Sequence, residues 1–561
     1  MYFNTHRLFV LLIVLLLLAC TPNKPKSQSS TVNIRQSEDA SGLNPITIRD
    51  GFSNYLSMQL FQTLIGIDFK SNEIVGIIAK DKGTVTVIND SALKISFEIR
   101  EEAKFDDGRP ITAEDVQFST KLHLLKGINS FTSRFFEFVD NVIVDSTNFR
   151  KLHFIVSNSQ MQADFYCGSI YLMDHKVYDP KAILKTYSIP EIKSDSIYEK
   201  TEIKEIISSL NDQKFAKNKN FIKGSGSYEI EEWNEGRNIR LNKKENWWGD
   251  ALKQTNSFFN ANAPKLNYEI INDENTAVVS LKNGRIDLMS ELSPRQFNQL
   301  KMDENFKSKF KLATAQKMGY HCLGFNLNHP VLNDIHIRKA IAHCLNKELF
   351  IEKVLYGLAE PTNGPLAPWR EKIYNNEISA IPFDLNKAKE ELNKSKWFNQ
   401  SPIEIEYAYN AGNKEREALG LILKEEAAKI GININLAAYE WSVYLQKLKS
   451  GELELFYSAV SSSLLPPNYN SSFHSSAANG GRNYFNYKNE TADSLIHVMN
   501  RSNQLSDYAK ASKSFQELLN NDLPCIFLYS EKETFVFSKS IQDFYPSSAR
   551  PHYWAPVLSK K

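Results

Sequence analysis

Residues 97–119 read FEIREEAKFDDGRPITAEDVQFS and contain three local signals in direct succession. Residues 93–99 alternate apolar with polar side chains, which is the period of a strand with one buried face. Residues 107–108 are an Asp-Gly turn dipeptide, and Thr112 stands three residues before Asp115, the spacing of a helix capping box. The stretch therefore predicts a strand, a turn and a capped helix, in that order.

The spacing alone is typical of an ordinary ββα or βα corner on a protein surface. The identities of the residues are more specific. The stretch resembles the line LRxGxKFxDGxPxTAxDVxFS of the family 5 extracellular solute-binding proteins, which include the oligopeptide-, dipeptide- and nickel-binding components of ABC transporters. The matching positions are Ile99, Arg100, Lys104, Phe105, Asp107, Gly108, Pro110, Thr112, Ala113, Asp115, Val116, Phe118 and Ser119.

Shorter stretches agree with this family in order and spacing. Residues 223–228 resemble its GTGPY line, residues 284–287 its GxxD line, residues 320–328 its hinge strand and residues 337–341 its VRxAI helix. The resemblance runs from about residue 31 to residue 545, with gaps around 128–220. It implies an α/β fold of the two-lobed, periplasmic-binding-protein-like cluster C type, with an extra subdomain in the first lobe.

The resemblance also implies how the chain divides. Crossings near residues 320 and 500 would form the hinge, and the polar stretch 190–220 is interpreted as a solvated excursion. The predicted units are a signal peptide at 1–19, a tether at 20–30, a first lobe at 31–280 with its subdomain at about 67–220, a second lobe at 281–500 and a return to the first lobe at 501–561.

Composition narrows the class of protein. A chain of 561 residues with 42% hydrophobic residues is too long for one core. The formal net charge of +2 and the lack of basic blocks give no indication of a nucleic-acid partner. Neither G-x-S-x-G, H-E-x-x-H nor a Walker loop occurs, so we expect a binding protein without cofactor or catalysis, with an exported hydrolase as the alternative.

The first twenty residues have the pattern of an export signal. Arg7 precedes an apolar run at 8–18, which is too short for a stable membrane span but suits a signal peptide. Residues 17–20, Leu-Leu-Ala-Cys, resemble the bacterial lipobox, in which Cys20 becomes the lipidated first residue. We expect an extracytoplasmic protein anchored by this lipid; the alternative is cleavage elsewhere, with Cys20 incidental.

The remaining cysteines show no metal-binding pattern. No CxxC occurs and no histidine stands at ligand spacing beside them, so we predict no metal site. Buried free thiols are expected rather than bridges at Cys167, Cys322, Cys344 and Cys525.

Ligand selection is expected in residues 439–467. Peptide-binding relatives have a Glu-Trp here, then a Gly, a strand and a loop W-x-x-D-Y-x-x-P whose Asp neutralises the α-ammonium of the peptide. Residues 440–441, Gly451 and Pro467 match that pattern, but Ser463 stands in place of the Asp and Val460 in place of the Trp. Because an unpaired buried ammonium is very costly, either another acid anchors the amine or the solute presents no free α-ammonium.

Family position supplies the candidate site residues. They are Asn54, Tyr55, Tyr320, Asn326, Trp441, Tyr457, Val460, Ser461 and Ser463. We expect a monomer that captures a peptide or peptide-like solute by closure of two lobes and delivers it to ABC permease subunits. The alternatives are a non-peptide solute such as a nickel chelate or sugar, and a role as a sensor accessory.

Overall fold

The computed structural model describes residues 31–561 except 131–132, 158–160, 401 and 503. The predicted signal peptide, the tether and Cys20 lie outside the described residues. The four cysteines within them are free and buried, as expected.

One large mixed sheet runs through the molecule, and its centre is the strand Cys525–Ser538, called here the long strand. The path of hydrogen-bonded neighbours is Ile432–Tyr439, Ile403–Asn410, Leu455–Ser461, Gly319–Phe325, the long strand, Leu288–Ser290, Thr31–Gln36, Lys265–Ile270, Asn238–Lys243 and Tyr228–Asn234. Two further strands, Phe310–Gln316 and Ala359–Pro361, also pair with the long strand.

The long strand belongs to both lobes. Its first half pairs with Gly319–Phe325 and packs into the cores of the second lobe, whereas its second half pairs with Phe310–Gln316 on the first-lobe side. Helix Leu505–Asp522 buries its apolar face in the second lobe. We therefore infer lobe boundaries near residues 318 and 531 in place of the predicted 281 and 501.

A separate four-stranded antiparallel sheet forms the subdomain of the first lobe. Its strand order is Thr84–Asn89, Ala92–Glu98, Lys151–Ser157 and Val139–Val144. Two-residue and three-residue strands complete the sheets of the described chain, at Ile65–Ile67, Ile74–Gly76, Ile541–Gln542 and Ser559–Lys560.

The stretch at residues 97–119 folds as its sequence predicts. Helix Ala113–Leu124 begins with the capping box, in which the backbone N–H of Thr112 donates to Asp115 Oδ2 over 2.8 Å. Arg109 pairs with Asp115 over 2.9 Å and with Asp174 over 3.0 Å. The carboxylate of Asp115 is thus used inside the subdomain.

Helices occur in both lobes and in the subdomain. Those of the first lobe are Gly51–Leu60, Ala113–Leu124, Ala163–Gly168, His175–Tyr178, Ile189–Lys193, Thr201–Leu210, Gln213–Lys217, Glu274–Lys282, Pro294–Met302 and Glu304–Lys309. Those of the second lobe are Ile335–His343, Lys347–Lys353, Leu385–Lys394, Lys414–Ala428, Trp441–Ser450, Asn470–Phe473, Glu490–Arg501 and Leu505–Asp522.

Residues 190–220 do not form the solvated excursion that was expected from their polar composition. Helix Thr201–Leu210 buries Ile203, Ile206 and Leu210 in the core of the first lobe. Its polar composition reflects the outer face, while the apolar side chains at helical spacing cover the subdomain.

The segment that resembles GTGPY packs against helix Gly51–Leu60. The N–H of Gly226 donates to the carbonyl oxygen of Leu60 over 3.0 Å, and a Cβ on Gly226 would lie 2.3 Å from the carbonyl oxygen of Gln59. Glycine is required here by this close approach of two backbones.

Candidate functional site

Two cavities meet on residues 459–467, called here the cleft segment. The apolar cavity has a volume of about 490 Å³ and is lined by the first lobe and by residues 462–465. The polar cavity has a volume of about 510 Å³ and lies mainly against the second lobe. Ser462, Ser463 and Tyr166 line both cavities, so the cleft segment separates two parts of one interlobe site.

The large sheet positions the start of the cleft segment. Strand Leu455–Ser461 pairs antiparallel with Gly319–Phe325, and Gly319 lies opposite Ser461. Gly319 has φ +116°, and a Cβ there would lie 2.1 Å from the carbonyl oxygen of Val460. Only glycine allows this close approach where the chain crosses between the lobes.

Arg370 holds the loop that follows. Its guanidinium donates to the carbonyl oxygen of Leu464 over 2.8 Å and to that of Ser463 over 3.4 Å. Burial lowers the pKa of Arg370, although the group remains a cation at neutral pH. A loop without acidic side chains is therefore fixed through its backbone carbonyls.

The cleft segment also contacts the first lobe directly. Arg550 Nη2 donates to Ser461 Oγ over 2.6 Å, and Gln162 Nε2 donates to the carbonyl oxygen of Pro466 over 2.9 Å. The side chain of Leu464 packs against the core of the first lobe. These contacts join the two lobes on either side of the cavities.

Five of the nine predicted site residues line the cavities. Asn54 borders the apolar cavity and accepts a hydrogen bond from the Tyr171 hydroxyl over 3.0 Å. Tyr320, Val460 and Ser461 border the polar cavity, and Ser463 borders both.

Three predicted residues lie elsewhere, for different reasons. Tyr55 is 2% exposed in the core of the first lobe, where its hydroxyl accepts from the N–H of Ala555 over 2.7 Å. Asn326 is buried and donates to the carbonyl oxygens of Gly451 and Leu453. Trp441 is 52% exposed at the start of its helix and stacks on Tyr444 rather than facing a cavity.

Tyr457 faces the opposite side of the sheet. Its hydroxyl lies 2.6 Å from Tyr529 Oη and 2.6 Å from His321 Nδ1. A third cavity of about 360 Å³, called here the rear cavity, lies on that side and is lined by Tyr457, Tyr529 and several charged side chains.

Ion pairs dominate the rear cavity. Lys317 lies 3.4 Å from both Glu531 and Glu533, and His321 Nε2 lies 3.3 Å from Glu531. Burial raises the pKa of Glu531, but the neighbouring His321 and Lys317 outweigh it and lower that pKa to about 2. Lys317 and His321 thus pair with Glu531 and Glu533 within the protein, although glutamates outnumber lysines and arginines in the lining of the rear cavity.

The two interlobe cavities have a different charge. Among the described residues that line them there is neither an aspartate nor a glutamate, whereas Lys449, Arg482 and Arg550 are cationic. Within the described lining, no carboxylate takes the place of the aspartate that Ser463 replaces. A solute in this site meets cations and neutral polar groups.

Several residues that line the site were not predicted from the sequence. His123 and Gln62 line the apolar cavity, and Arg550 borders it from the C-terminal part of the chain. His123 lies on helix Ala113–Leu124, where helical spacing places it among core residues. Nothing in the sequence indicates that Arg550 reaches Ser461.

Metal binding and membrane spanning require features that the described residues do not provide. Within residues 31–561, apart from the gaps stated above, no group of three or more His, Cys, Asp or Glu side chains could hold a metal ion. The same residues include no helix whose length and apolar character would allow it to cross a membrane.

Comparison with known proteins places this architecture in a family. Residues 73–482 match the model described as bacterial extracellular solute-binding proteins, family 5 Middle. The chain is 24% identical over 566 residues to the oligopeptide-binding protein AppA of Bacillus subtilis, with 95% of this chain and 94% of AppA covered. It is 22% identical over 515 residues to heme-binding protein A of Haemophilus influenzae, with 86% and 84% covered.

Solved structures share the fold. AppA of Bacillus subtilis in complex with a nonapeptide has a TM-score of 0.67 at 21% identity, covering 95% of this chain and 99% of AppA. NikZ of Campylobacter jejuni in complex with Ni(L-His) has a TM-score of 0.69 at 20% identity, with the same coverage of 95% and 99%. The chain belongs to the bacterial extracellular solute-binding proteins of family 5.

Proposed function

We propose that this protein captures a peptide or peptide-like solute outside the cytoplasm and delivers it to an ABC importer. Family membership, the similarity to AppA and the paired interlobe cavities support this proposal. Closure of two lobes excludes water from such a site, so that the few polar groups in its wall decide specificity. The protein acts by binding and release, without catalysis.

The charge of the cavity lining indicates which kind of solute fits the site. The described lining of both cavities lacks a carboxylate and contains Lys449, Arg482 and Arg550. A free α-ammonium bound here would be desolvated without a counter-charge, which is very costly. The solute therefore has a blocked or absent α-amino group, and its negative end faces the cations.

Calorimetry with a matched peptide pair tests this choice. We expect wild-type protein to bind N-acetyl-Ala-Phe-Ala at least tenfold more tightly than Ala-Phe-Ala, because only the second peptide buries an ammonium. Ser463→Asp supplies a carboxylate and should reverse the preference. The control is Ser494→Asp, which adds the same charge on an exposed helix position. Tight binding of Ala-Phe-Ala by the wild type would contradict the choice of solute.

The location is proposed from the N-terminal sequence. Cys20 follows Leu-Leu-Ala in a lipobox-like pattern, so the mature protein would be held at the membrane by lipid on Cys20. Cys20→Ala should move the protein from the membrane fraction to the soluble fraction and abolish labelling by radioactive palmitate. Unchanged membrane association of this variant would argue against the anchor.

A further inference from the structure

The walls of the apolar cavity come from both lobes and are formed mostly by carbon atoms. Met58, Ile67 and Phe165 line it from the first lobe, and Leu464 and Leu465 line it from the cleft segment. Each of these five side chains is only partly buried. Their carbon atoms therefore form a surface that a solute in the cavity can cover.

This cavity has little to offer to a charged group. Both ring nitrogens of His123, Gln62 Oε1 and Ser462 Oγ are buried, although the three residues line the cavity. Its described lining includes no acid, and its one lysine or arginine is Arg550. Arg550 donates to Ser461, which borders the polar cavity, so this cation lies where the two cavities meet. An ionised group deeper in the apolar cavity would lose its hydration without a partner.

The polar cavity on the other side of the cleft segment has the opposite character. Lys449 and Arg482 border it, and its described lining includes no acid that could neutralise them. A carboxylate of the solute is therefore favoured in this cavity. Ser463 lines both cavities, so the other end of a solute that extends past Ser463 lies in the apolar cavity.

For a peptide, the two cavities define the direction of the chain. With its carboxylate beside Lys449 and Arg482, its amino end points into the apolar cavity. An acyl group on the amino nitrogen turns the amine into a neutral amide and supplies carbon atoms to cover the apolar walls. The cavity volume of about 490 Å³ lies within the range of about 300–1,000 Å³ for ligand sites.

We propose that the apolar cavity binds an acyl chain on the amino end of the solute, which makes the solute an N-acylated peptide. Met58 and Leu465, one from each lobe, are then specificity-determining residues that contact this chain. The inference rests on the proposed function, because it names the solute class of the same interlobe site.

The test compares N-hexanoyl-Ala-Phe-Ala with N-acetyl-Ala-Phe-Ala by titration calorimetry of the wild-type protein. The two peptides differ by four methylene groups in the acyl chain. Each methylene group that moves from water into apolar surroundings strengthens binding by up to about fourfold. We expect the hexanoyl peptide to bind at least about tenfold more tightly than the acetyl peptide.

An isomer of the hexanoyl peptide tests the direction of the chain. N-acetyl-Ala-Phe-2-aminoheptanoic acid has the same added methylene groups on the side chain next to its carboxylate. We expect this isomer to bind at least about fivefold more weakly than the hexanoyl peptide, because its alkyl chain lies beside the cations of the polar cavity. Equal affinities of the two isomers would overturn the placement of the acyl chain.

Two substitutions test the walls of the cavity. Leu465→Asn replaces a loop side chain by a polar one of similar size, and Met58→Gln does the same on helix Gly51–Leu60. The added amide loses water without gaining a partner when the acyl chain binds. In either variant, the ratio of hexanoyl to acetyl affinity should fall at least about threefold.

Leu421→Asn is the matched control. Leu421 is 54% exposed on helix Lys414–Ala428 and lies outside the described cavity linings. The wild-type ratio should be kept in this variant. A wild-type protein that binds both peptides equally well overturns this inference alone, as does a preference that survives in both wall variants. Failure of all three peptides to bind the wild type contradicts the proposed function and overturns the inference with it.

Discussion

The two faces of the sheet around strand Gly319–Phe325 differ in whether their polar side chains have partners within the protein. Tyr320 borders the interlobe site, whereas the next residue, His321, borders the rear cavity. On the rear face, acids and bases form ion pairs within the protein. On the cleft face, the described cavity lining has cations without acids and buried polar atoms without protein partners.

This difference predicts which substitutions change the stability of the protein and which change its affinity for a solute. Paired groups on the rear face are already satisfied and have little to gain from a solute. The cations on the cleft face meet no acid within the described lining, so a charged solute can supply their counter-charge. Substitutions on the rear face should therefore change the free energy of unfolding, and those on the cleft face should change affinity.

The largest effect is expected where the two faces meet, at Gly319. In Gly319→Ala, a Cβ would lie 2.1 Å from the carbonyl oxygen of Val460, at a φ of +116°. We expect a loss of about 4 kcal/mol in the free energy of unfolding, from combined steric and backbone strain. Urea unfolding followed by circular dichroism measures this loss.

Gly357→Ala is the matched control for backbone strain alone. Its φ is +76°, and nothing lies within 4 Å of the added Cβ. The expected cost is about 1 kcal/mol. Equal costs at the two glycines would show that the close approach to Val460 is unimportant.

The next effect concerns the rear face, at Glu533. Its side chain is 5% exposed, accepts from the N–H groups of Glu291 and Thr534 over 3.0 Å each, and lies 3.4 Å from Lys317. Glu533→Leu should lower the free energy of unfolding by about 3 kcal/mol, because three partners lose their acceptor. Peptide affinity per folded molecule should stay the same, which binding titration checks.

Glu352→Leu removes an acid from an exposed ion pair with Lys353 and serves as the control. The Glu352 side chain is 67% exposed. We expect a change within about 0.5 kcal/mol, as is usual for surface pairs. A rear-face variant that changed peptide affinity instead of stability would contradict the distinction between the two faces.

The pH dependence of stability should change on the cleft face, at His123. Burial lowers its pKa from 6.5 to about 4, so below pH 6.5 the unfolded chain takes up a proton that the folded chain refuses. The contribution of His123 to wild-type stability therefore falls as the pH drops from 6.5 towards 4. Between pH 7 and 4.5 we expect His123→Leu to gain about 2 kcal/mol relative to wild type.

Urea titrations of both proteins at pH 7, 5.5 and 4.5 measure this difference. The wild type and the variant share every other titrating group, so the difference isolates His123. Parallel pH profiles would show that His123 is protonated or partnered in the folded protein.

The smallest effects are expected at the bridge between Arg550 and Ser461. Arg550→Ala removes both a cation of the cleft and the 2.6 Å hydrogen bond, and should weaken binding of N-acetyl-Ala-Phe-Ala about tenfold. Ser461→Ala removes only the hydrogen bond and should weaken it about twofold. Calorimetry measures both affinities. Equal losses of affinity in the two variants would show that Arg550 acts by bridging the lobes and not through its charge.

Much of the fold follows from local signals. The turn at 107–108 and the capping box of Thr112 and Asp115 involve neighbours in the sequence, so the residues themselves specify them. Gly431, with φ +87°, likewise lies between helix Lys414–Ala428 and strand Ile432–Tyr439, so that this junction also involves neighbours in the sequence.

Lobe boundaries and site residues depend on distant partners. The apolar face of helix Leu505–Asp522 suits either lobe, and only packing assigns it to the second. A family position does not fix the direction of a side chain, which is why Tyr55 is in the core and Trp441 is on the surface. The pairing of Arg550 with Ser461 spans 89 residues and leaves no pattern in the sequence.

The central claim is that the acid-free cleft selects a solute without a free α-ammonium. Its most direct test is mass spectrometry of the solute that remains bound when the protein is purified under native conditions from its own organism. The released solute should be unchanged in mass by reductive methylation of α-amino groups. A bound peptide whose free N-terminus becomes methylated would contradict the claim.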